Sequence, residues 1–236
     1  MPAIDTILLD LDGTLLQFSQ KDFIDAYFER LGKVFTRLGL DPEASAKAVW
    51  AGTAAMVNND GSRTNRECFW EKFSAAMSLN DISAVEAACD SFYANEFDGV
   101  KSIFEPGELP GRLVRGLKER GFTVVLATNP LFPPCAVETR LRWIGLTPGD
   151  FELITDYSNS VFCKPNLSYY REILGKINKE PAQCLMAGNN PAEDMCAGEL
   201  GMETFLVNGF TEGAGSGAEY SGLSGTLDQL EEYLLW

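Results

Sequence analysis

The chain has 236 residues, of which 45% are hydrophobic and 22% are charged, so it is long and apolar enough to bury a sizeable globular core. Its formal net charge of −15 disfavours binding to nucleic acid or to an anionic membrane surface. The chain contains no histidine, which excludes Ser-His-Asp and Cys-His catalysis, a histidine general base and histidine-bound zinc.

The first predicted element is a buried strand over Thr6–Leu9, followed directly by Asp10-Leu11-Asp12-Gly13-Thr14-Leu15. Because side chains alternate along a strand, Asp10 and Asp12 leave its end on the same side, and Gly13 lets the backbone turn. Two adjacent carboxylates repel each other unless something offsets their charge, and a hard divalent cation is the simplest candidate. The alternative interpretation is a capped turn with a solvated acidic pair.

A helical segment is predicted between the first and second strands, from about residue 18 to residue 104. Apolar residues recur there at helical spacing, as in the stripe that runs from Phe23 through Tyr27 to Leu38. Asp41 before Pro42 predicts one helix start, and the capping-box pattern that begins at Thr64 predicts another. The aromatic stripes are interpreted as core packing rather than as a cofactor site.

Four further strands are predicted over residues 123–127, 153–155, 184–187 and 204–207, with helices at 112–120, 136–144 and 167–177. This alternation predicts a parallel sheet between two layers of helices, with ligands at the carboxyl ends of the strands. The Gly- and Ser-rich residues 208–225 are interpreted as a flexible connection, and a last amphipathic helix is predicted after Thr226.

Polar residues follow the later strands in order. Thr128 and Asn129 follow the second strand, Lys164 lies in a turn after the third, and a polar loop over residues 188–194 follows the fourth. Each pattern alone is typical of an ordinary turn. Together with Asp10 and Asp12, however, they make the chain resemble the haloacid dehalogenase (HAD) superfamily of phosphohydrolases along its whole length.

The resemblance implies an α/β fold, a Rossmann-like three-layer sandwich with a five-stranded parallel sheet in the order 5-4-1-2-3. It also implies two domains. Residues 1–17 and 105–236 correspond to the catalytic core, and residues 18–104 correspond to a small all-helical cap inserted between the first two motifs.

The resemblance also assigns roles to individual residues. Asp10 corresponds to the nucleophile that forms an aspartyl-phosphate, and Asp12 to the acid and base that protonates the leaving alcohol and then activates water. Thr128 and Lys164 would hold the phosphoryl oxygens, and Asn129 is a candidate substrate-binding residue. The expected cofactor is Mg²⁺, held by Asp10, the Asp12 carbonyl, Asn189 and Asp194, with Glu193 as a further candidate.

One position departs from the family pattern, because Asn189 stands where an aspartate is usual. An amide oxygen can still bind Mg²⁺, but the site loses one negative charge. The interpretation is therefore a Mg²⁺-dependent phosphatase acting on a small phosphorylated metabolite, with two alternatives left open. These are a phosphomutase with the same intermediate and a weak or non-catalytic metal-binding protein. A two-component receiver domain is disfavoured by the helical insertion.

The polar loop over residues 58–66 is expected to face the site from the cap. Arg63 or Arg66 could bind an anionic substrate group, and the alternative is a solvated loop with surface arginines. The N-terminus lacks the pattern of a secretory signal, and the six cysteines form no Cys-x-x-Cys pair. We therefore expect a cytoplasmic monomer or homodimer that binds neither nucleic acid nor membrane.

Overall fold

The computed structural model describes residues 3–211 and 220–236. Its centre is a parallel six-stranded sheet in the order β3-β2-β1-β4-β5-β6. The strands are β1 (Thr6–Leu9), β2 (Thr123–Leu126), β3 (Leu153–Ile154), β4 (Cys184–Gly188), β5 (Glu203–Val207) and β6 (Leu223–Gly225). The five predicted strands are confirmed in the order that the family resemblance implied.

The sixth strand is a correction, because the sheet was expected to have five. β6 extends the sheet beyond β5, with Leu223 opposite Phe205 and the Asn208 N–H donating to the Gly225 carbonyl at 2.7 Å. The interpretation of residues 208–225 as a flexible connection was therefore wrong for its last part. A three-residue strand held mainly by backbone hydrogen bonds leaves no hydrophobic pattern to detect. The glycines at 213, 215 and 217 lie outside the described residues.

Four α-helices lie within residues 18–104, between β1 and the helix that precedes β2. They are α1 (Gln20–Arg37), α2 (Pro42–Val57), α3 (Asn65–Met77) and α4 (Ser83–Asn95), followed by a 3₁₀ helix over Phe97–Ile103. The predicted starts are confirmed, since the Asp41 side chain caps α2 and Thr64 forms a capping box with Glu67 at α3. Leu38 was wrongly placed on the buried stripe. It follows the end of α1 and is exposed, while Phe35 is buried instead.

The remaining helices cover the two faces of the sheet. They are α5 (Leu109–Glu119), α6 (Pro134–Trp143), α7 (Leu167–Ile177) and α8 (Leu227–Leu235). Because β1 alternates its side chains, Ile7 and Leu9 join one buried cluster with Leu113 of α5, while Leu8 joins another with Tyr169 of α7. Both faces of the sheet are therefore buried, as expected for a parallel sheet.

The larger cluster continues from the sheet into the inserted helices, where it includes Phe35, Phe73 and Phe92. The insertion and the sheet thus share one apolar core. The division of the chain after residues 17 and 104 into a core and a cap stays a prediction. None of the helices in the described part of the chain has the length and hydropathy needed to cross a bilayer.

Candidate active site

The carboxyl edge of the sheet carries the first group of predicted site residues. β1 lies between β2 and β4, and the Asp10 N–H continues the ladder by donating to the Ala187 carbonyl at 2.9 Å. Asp10 therefore emerges at the middle of this edge and is only 7% exposed. Thr128 follows β2 and Asn189 follows β4, and both are buried. The sheet thus brings together three residues that lie far apart in the sequence.

Lys164 is the central cation of this edge. Its Nζ donates to Asp10 Oδ1 at 2.8 Å and to Asp194 Oδ1 at 2.6 Å, and all three side chains are buried. Burial alone would lower the pKa of Lys164, but the carboxylates of Asp10 and Asp194 raise that pKa above its usual range. Lys164 is therefore charged and supplies the positive charge that two buried carboxylates require.

Asp194 is held on both of its oxygens. Besides the contact with Lys164, its Oδ2 accepts the N–H of Asn190 at 2.9 Å. Burial raises the pKa of Asp194, and the attraction of Lys164 opposes that rise. A Cβ atom at Gly188 would lie 2.2 Å from Asp194 Oδ2, so only glycine fits at the end of β4.

Thr14 and Asn189 complete the surroundings of Asp10. The Thr14 hydroxyl lies 3.1 Å from Asp10 Oδ2 and 3.3 Å from Asn189 Oδ1, and Asn189 Nδ2 donates to the Phe210 carbonyl at 2.6 Å. That last hydrogen bond turns the amide oxygen of Asn189 toward the Thr14 hydroxyl. Gly13 has φ of +83°, and a Cβ there would lie 2.1 Å from Asn189 Nδ2. The turn after Asp12 therefore requires glycine for its backbone angle and for space.

The predicted residues Asn129 and Glu193 face each other. Asn129 Nδ2 donates to Glu193 Oε2 at 3.1 Å, and burial raises the pKa of Glu193. The Thr128 carbonyl accepts the hydroxyls of Thr155 at 2.7 Å and Tyr169 at 2.8 Å, which holds the loop after β2 against the sheet. Thr128, Asn129 and Glu193 all line the same cavity as Asp10.

Asp12 has a partner that the sequence analysis missed. Arg140 of α6 donates a charged hydrogen bond through Nη1 to Asp12 Oδ2, and its side chain is completely buried. Loss of solvent raises the pKa of Asp12, and the guanidinium opposes that rise. The other carboxyl oxygen, Oδ1, is buried without a hydrogen bond among the described residues. One oxygen is therefore tied to Arg140, and the other is free of protein partners in that part of the chain.

The surroundings of Arg140 explain how a cation is tolerated there. Its Nε donates to the Ala136 carbonyl at 3.3 Å, and its guanidinium lies 4.5 Å from the centre of the Phe132 ring. Arg140 lies on the apolar face of α6, beside Ala136, Val137 and Leu141. A charged residue at an apolar position of an amphipathic helix was the signal that could have identified it.

A cavity of about 220 Å³ opens directly from Asp10 and Asp12. Its floor is the carboxyl edge of the sheet, and most of its wall comes from aromatic residues of the inserted helices. We call this space the aromatic cavity, with Phe23, Tyr27, Phe69 and Trp70 among its lining side chains. The stripes interpreted as core packing are buried, but several of their rings also face this cavity.

Arg63 and Arg66 lie elsewhere. Both are exposed residues of the inserted helical segment, where Arg63 pairs with Glu71 and Arg66 with Glu86. Neither lines the aromatic cavity. The structure therefore gathers the catalytic and metal candidates at one edge but not these two arginines, whose role in substrate binding stays a prediction.

The donor set at the sheet edge fits a hard divalent cation. Asp10, Asn189 and Asp194 present carboxylate and amide oxygens, which are the ligands that Mg²⁺ prefers. Within residues 3–211 and 220–236, no three Asp, Glu, Cys or His side chains converge as a cation site on their own. A cation here would therefore rely on the neutral oxygen of Asn189 and on a backbone carbonyl beside the two carboxylates.

A buried aspartate lies at the end of the central strand, with a threonine, a lysine and an acidic loop around it, which is the arrangement that the resemblance to the HAD superfamily implied. The profile of the haloacid dehalogenase-like hydrolases matches residues 4–200. The chain therefore belongs to this family of hydrolases. No curated protein matches it by sequence.

Proteins whose solved structures share this fold are named for different reactions. A HAD phosphatase from Thermococcus onnurineus is 15% identical, with a TM-score of 0.58 over 98% of both chains. A β-phosphoglucomutase from Clostridium difficile is 18% identical, with a TM-score of 0.57 over 98% of this chain and 95% of that one. An L-2-haloacid dehalogenase from Xanthobacter autotrophicus is 13% identical, with a TM-score of 0.57 over 98% of both. At these identities the similarity shows the fold and not the reaction.

Proposed function

We propose that the protein is a Mg²⁺-dependent phosphatase that hydrolyses a small phosphate monoester through an aspartyl-phosphate on Asp10. The observation that carries this proposal is the environment of the Asp10 carboxylate. Lys164 and Thr14 contact its two oxygens, and the carboxylate opens into a cavity large enough for a small molecule. A buried carboxylate held in this way is oriented for attack on phosphorus.

In the first step, an Asp10 oxygen bonds to phosphorus and the bond from phosphorus to the ester oxygen breaks. Asp12 gives its proton to the departing alkoxide, so that a neutral alcohol leaves. In the second step, Asp12 takes a proton from water, whose oxygen attacks the phosphorus. Inorganic phosphate then leaves, and Asp10 returns to its original state. Lys164 and Thr128 stabilise the negative charge on the phosphoryl oxygens in both steps.

The environment of Asp12 supports this role. Its raised pKa favours a proton on the carboxyl group, and Oδ1 has no hydrogen-bond partner among the described residues. An acid at this position is also needed for an alcohol leaving group but not for a halide, so Asp12 favours phosphate ester hydrolysis over dehalogenation. Mg²⁺ held by Asp10, Asn189, Asp194 and the Asp12 carbonyl would offset phosphoryl charge when it is bound.

The direct test measures phosphate release from a panel of phosphate monoesters with Mg²⁺ and with EDTA. We expect activity in the wild type, none in Asp10→Asn, and a trapped phosphoprotein in Asp12→Asn that intact mass spectrometry detects. Wild-type protein without any phosphate release would refute the proposal. Isomer formation in place of free phosphate would favour the phosphomutase alternative.

The neutral side chain of Asn189, at a position where aspartate is usual in the family, favours the second alternative, a weak or non-catalytic metal-binding protein. Calorimetry of Mg²⁺ binding to the wild type and to Asn189→Asp measures how much the neutral amide weakens the metal site. We expect measurable binding in the wild type and tighter binding in the variant, because the variant restores one negative charge. The finer expectations of a cytoplasmic monomer or homodimer, acting on a phosphorylated metabolite and binding neither nucleic acid nor membrane, remain part of this proposal.

A further inference from the structure

The wall of the aromatic cavity is apolar over most of its area. Rings from α1, α2 and α3 face it, including Phe28, Trp50 and Phe73, and the aliphatic side chain of Val49 lies among them. These rings pack on one another as well, since Phe69 and Phe73 are stacked with ring centres 5.9 Å apart. A wall of this kind gains free energy by covering apolar surface of a ligand.

No lysine or arginine lines the cavity in the part of the chain that the structure describes. The charged side chains that do line it are all acidic, and Asp90, which α4 contributes, is exposed. Arg140 is close by but lies against the Phe132 ring and pairs with Asp12, so it does not line the space. A second phosphate or a carboxylate on the substrate would therefore be buried without a cation and repelled by the acids.

We propose that the leaving group of the substrate is an uncharged, apolar alcohol about the size of one substituted aromatic ring. The phosphoryl group would meet Asp10, whose carboxylate the buried Lys164 contacts from outside the cavity lining, and the ring would occupy the aromatic cavity. The volume is consistent with this size, because a cavity of about 150 Å³ lined by apolar side chains holds benzene, and this one measures about 220 Å³. This inference rests on the phosphatase activity proposed above.

The first experiment compares esters whose leaving alcohols differ in apolar surface but have similar acidity. We expect kcat/KM for 2-phenylethyl phosphate to exceed that for ethyl phosphate by about 30-fold, the gain from burying one aromatic ring. Glucose 6-phosphate and fructose 1,6-bisphosphate should be poorer than 2-phenylethyl phosphate, since their hydroxyls or second phosphate would lose water without new partners.

The second experiment fills the cavity from one position of α2. Val49 lines the cavity, whereas Val57 is on the same helix and is 42% exposed. In Val49→Phe, we expect the preference for 2-phenylethyl phosphate over ethyl phosphate to fall about tenfold. In the matched control Val57→Phe, the preference should not change. If Val49→Phe does not fold, Thr53→Phe adds a ring one turn further along the same wall and is expected to give the same loss.

A third measurement is independent of turnover. Asp10→Asn retains the cavity, so titration with 2-phenylethyl phosphate should change the fluorescence of Trp50 and Trp70, which line it, and ethyl phosphate should not. Val49→Phe in the same background should weaken this change.

The outcomes separate the two proposals. No hydrolysis of any ester with Mg²⁺ present refutes the phosphatase and, with it, this inference. Hydrolysis that is fastest with a sugar phosphate, a bisphosphate or the cationic ester phosphocholine leaves the phosphatase standing and overturns the apolar leaving group. Equal rates with ethyl and 2-phenylethyl phosphate overturn it as well.

Discussion

The floor and the wall of the aromatic cavity differ in how many charged side chains they carry. At the floor, Asp10 and Asp194 line the cavity, and the buried Lys164 pairs with both of them from outside the lining. On the wall, rings such as Phe69 and Trp70 face the same space, and no basic residue of the described chain lines it. Charge compensation is therefore concentrated at the sheet edge, where we propose that the phosphoryl group reacts, while the wall offers apolar surface to the rest of the proposed substrate.

The strongest test of the floor removes its cation. In Lys164→Met, two buried carboxylates lose their shared partner, so we expect kcat for phosphate release to fall by about 10²- to 10³-fold. The control is Lys21→Met, because Lys21 pairs with the exposed Asp25 on α1. Similar rates in both variants would contradict the role of Lys164.

A second test concerns the buried pair between Arg140 and Asp12. Arg140→Met leaves Asp12 without its buried partner, and we expect the free energy of unfolding in urea to fall by about 3 kcal/mol. Arg112 offers a control, since the arginine of its bidentate pair with Glu231 is exposed to solvent and Arg112→Met should cost less than about 1 kcal/mol. Arg140→Lys keeps the charge and should recover part of the loss. Equal losses in Arg140→Met and Arg112→Met would show that burial of the first pair contributes nothing.

A third test asks whether Arg63 and Arg66 contribute to the cavity. Because Arg63 and Arg66 pair with glutamates on the surface, Arg63→Gln and Arg66→Gln should change kcat/KM for an ester with an uncharged leaving group by less than about threefold. Steady-state kinetics with 2-phenylethyl phosphate and with fructose 1,6-bisphosphate would check this. A large loss confined to the bisphosphate would show that these residues bind an anionic group.

We expect the smallest effect for the pair between Asp5 and Lys179, which lies at the end of β1 opposite to Asp10. The hydrogen bond from Lys179 lowers the pKa of Asp5 in the folded protein. The pair therefore stabilises the fold above the unfolded pKa of about 3.9 and loses that contribution as the pH falls further. Urea unfolding of Asp5→Asn should show a loss of under about 1 kcal/mol at pH 7 that shrinks toward pH 3. A loss that grows on acidification would contradict this sign.

Local sequence patterns predicted many of the helix starts and strand ends. Asp41 and Thr64 cap helices where expected, because a side-chain cap depends on residues only three positions away. The positions of Asp10, Thr128 and Asn189 also followed from local reasoning, since each comes directly after a buried strand. The edge strand at Leu223–Gly225 did not, because backbone hydrogen bonds to a neighbouring strand leave little trace in side-chain pattern.

Two features of the site arise only when the chain folds. Arg140 and Asp12 are 128 positions apart, and their pairing depends on how α6 packs beside the turn after β1. The aromatic stripes of α1 and α3 have the spacing of ordinary buried helix faces. Which rings fill the core and which face an open space depends on how the helices pack together, and that packing is not encoded in the period of any single helix. The sequence alone thus specified the polar edge of the sheet, where strand ends place their polar residues, while folding created the cavity that we propose selects the substrate.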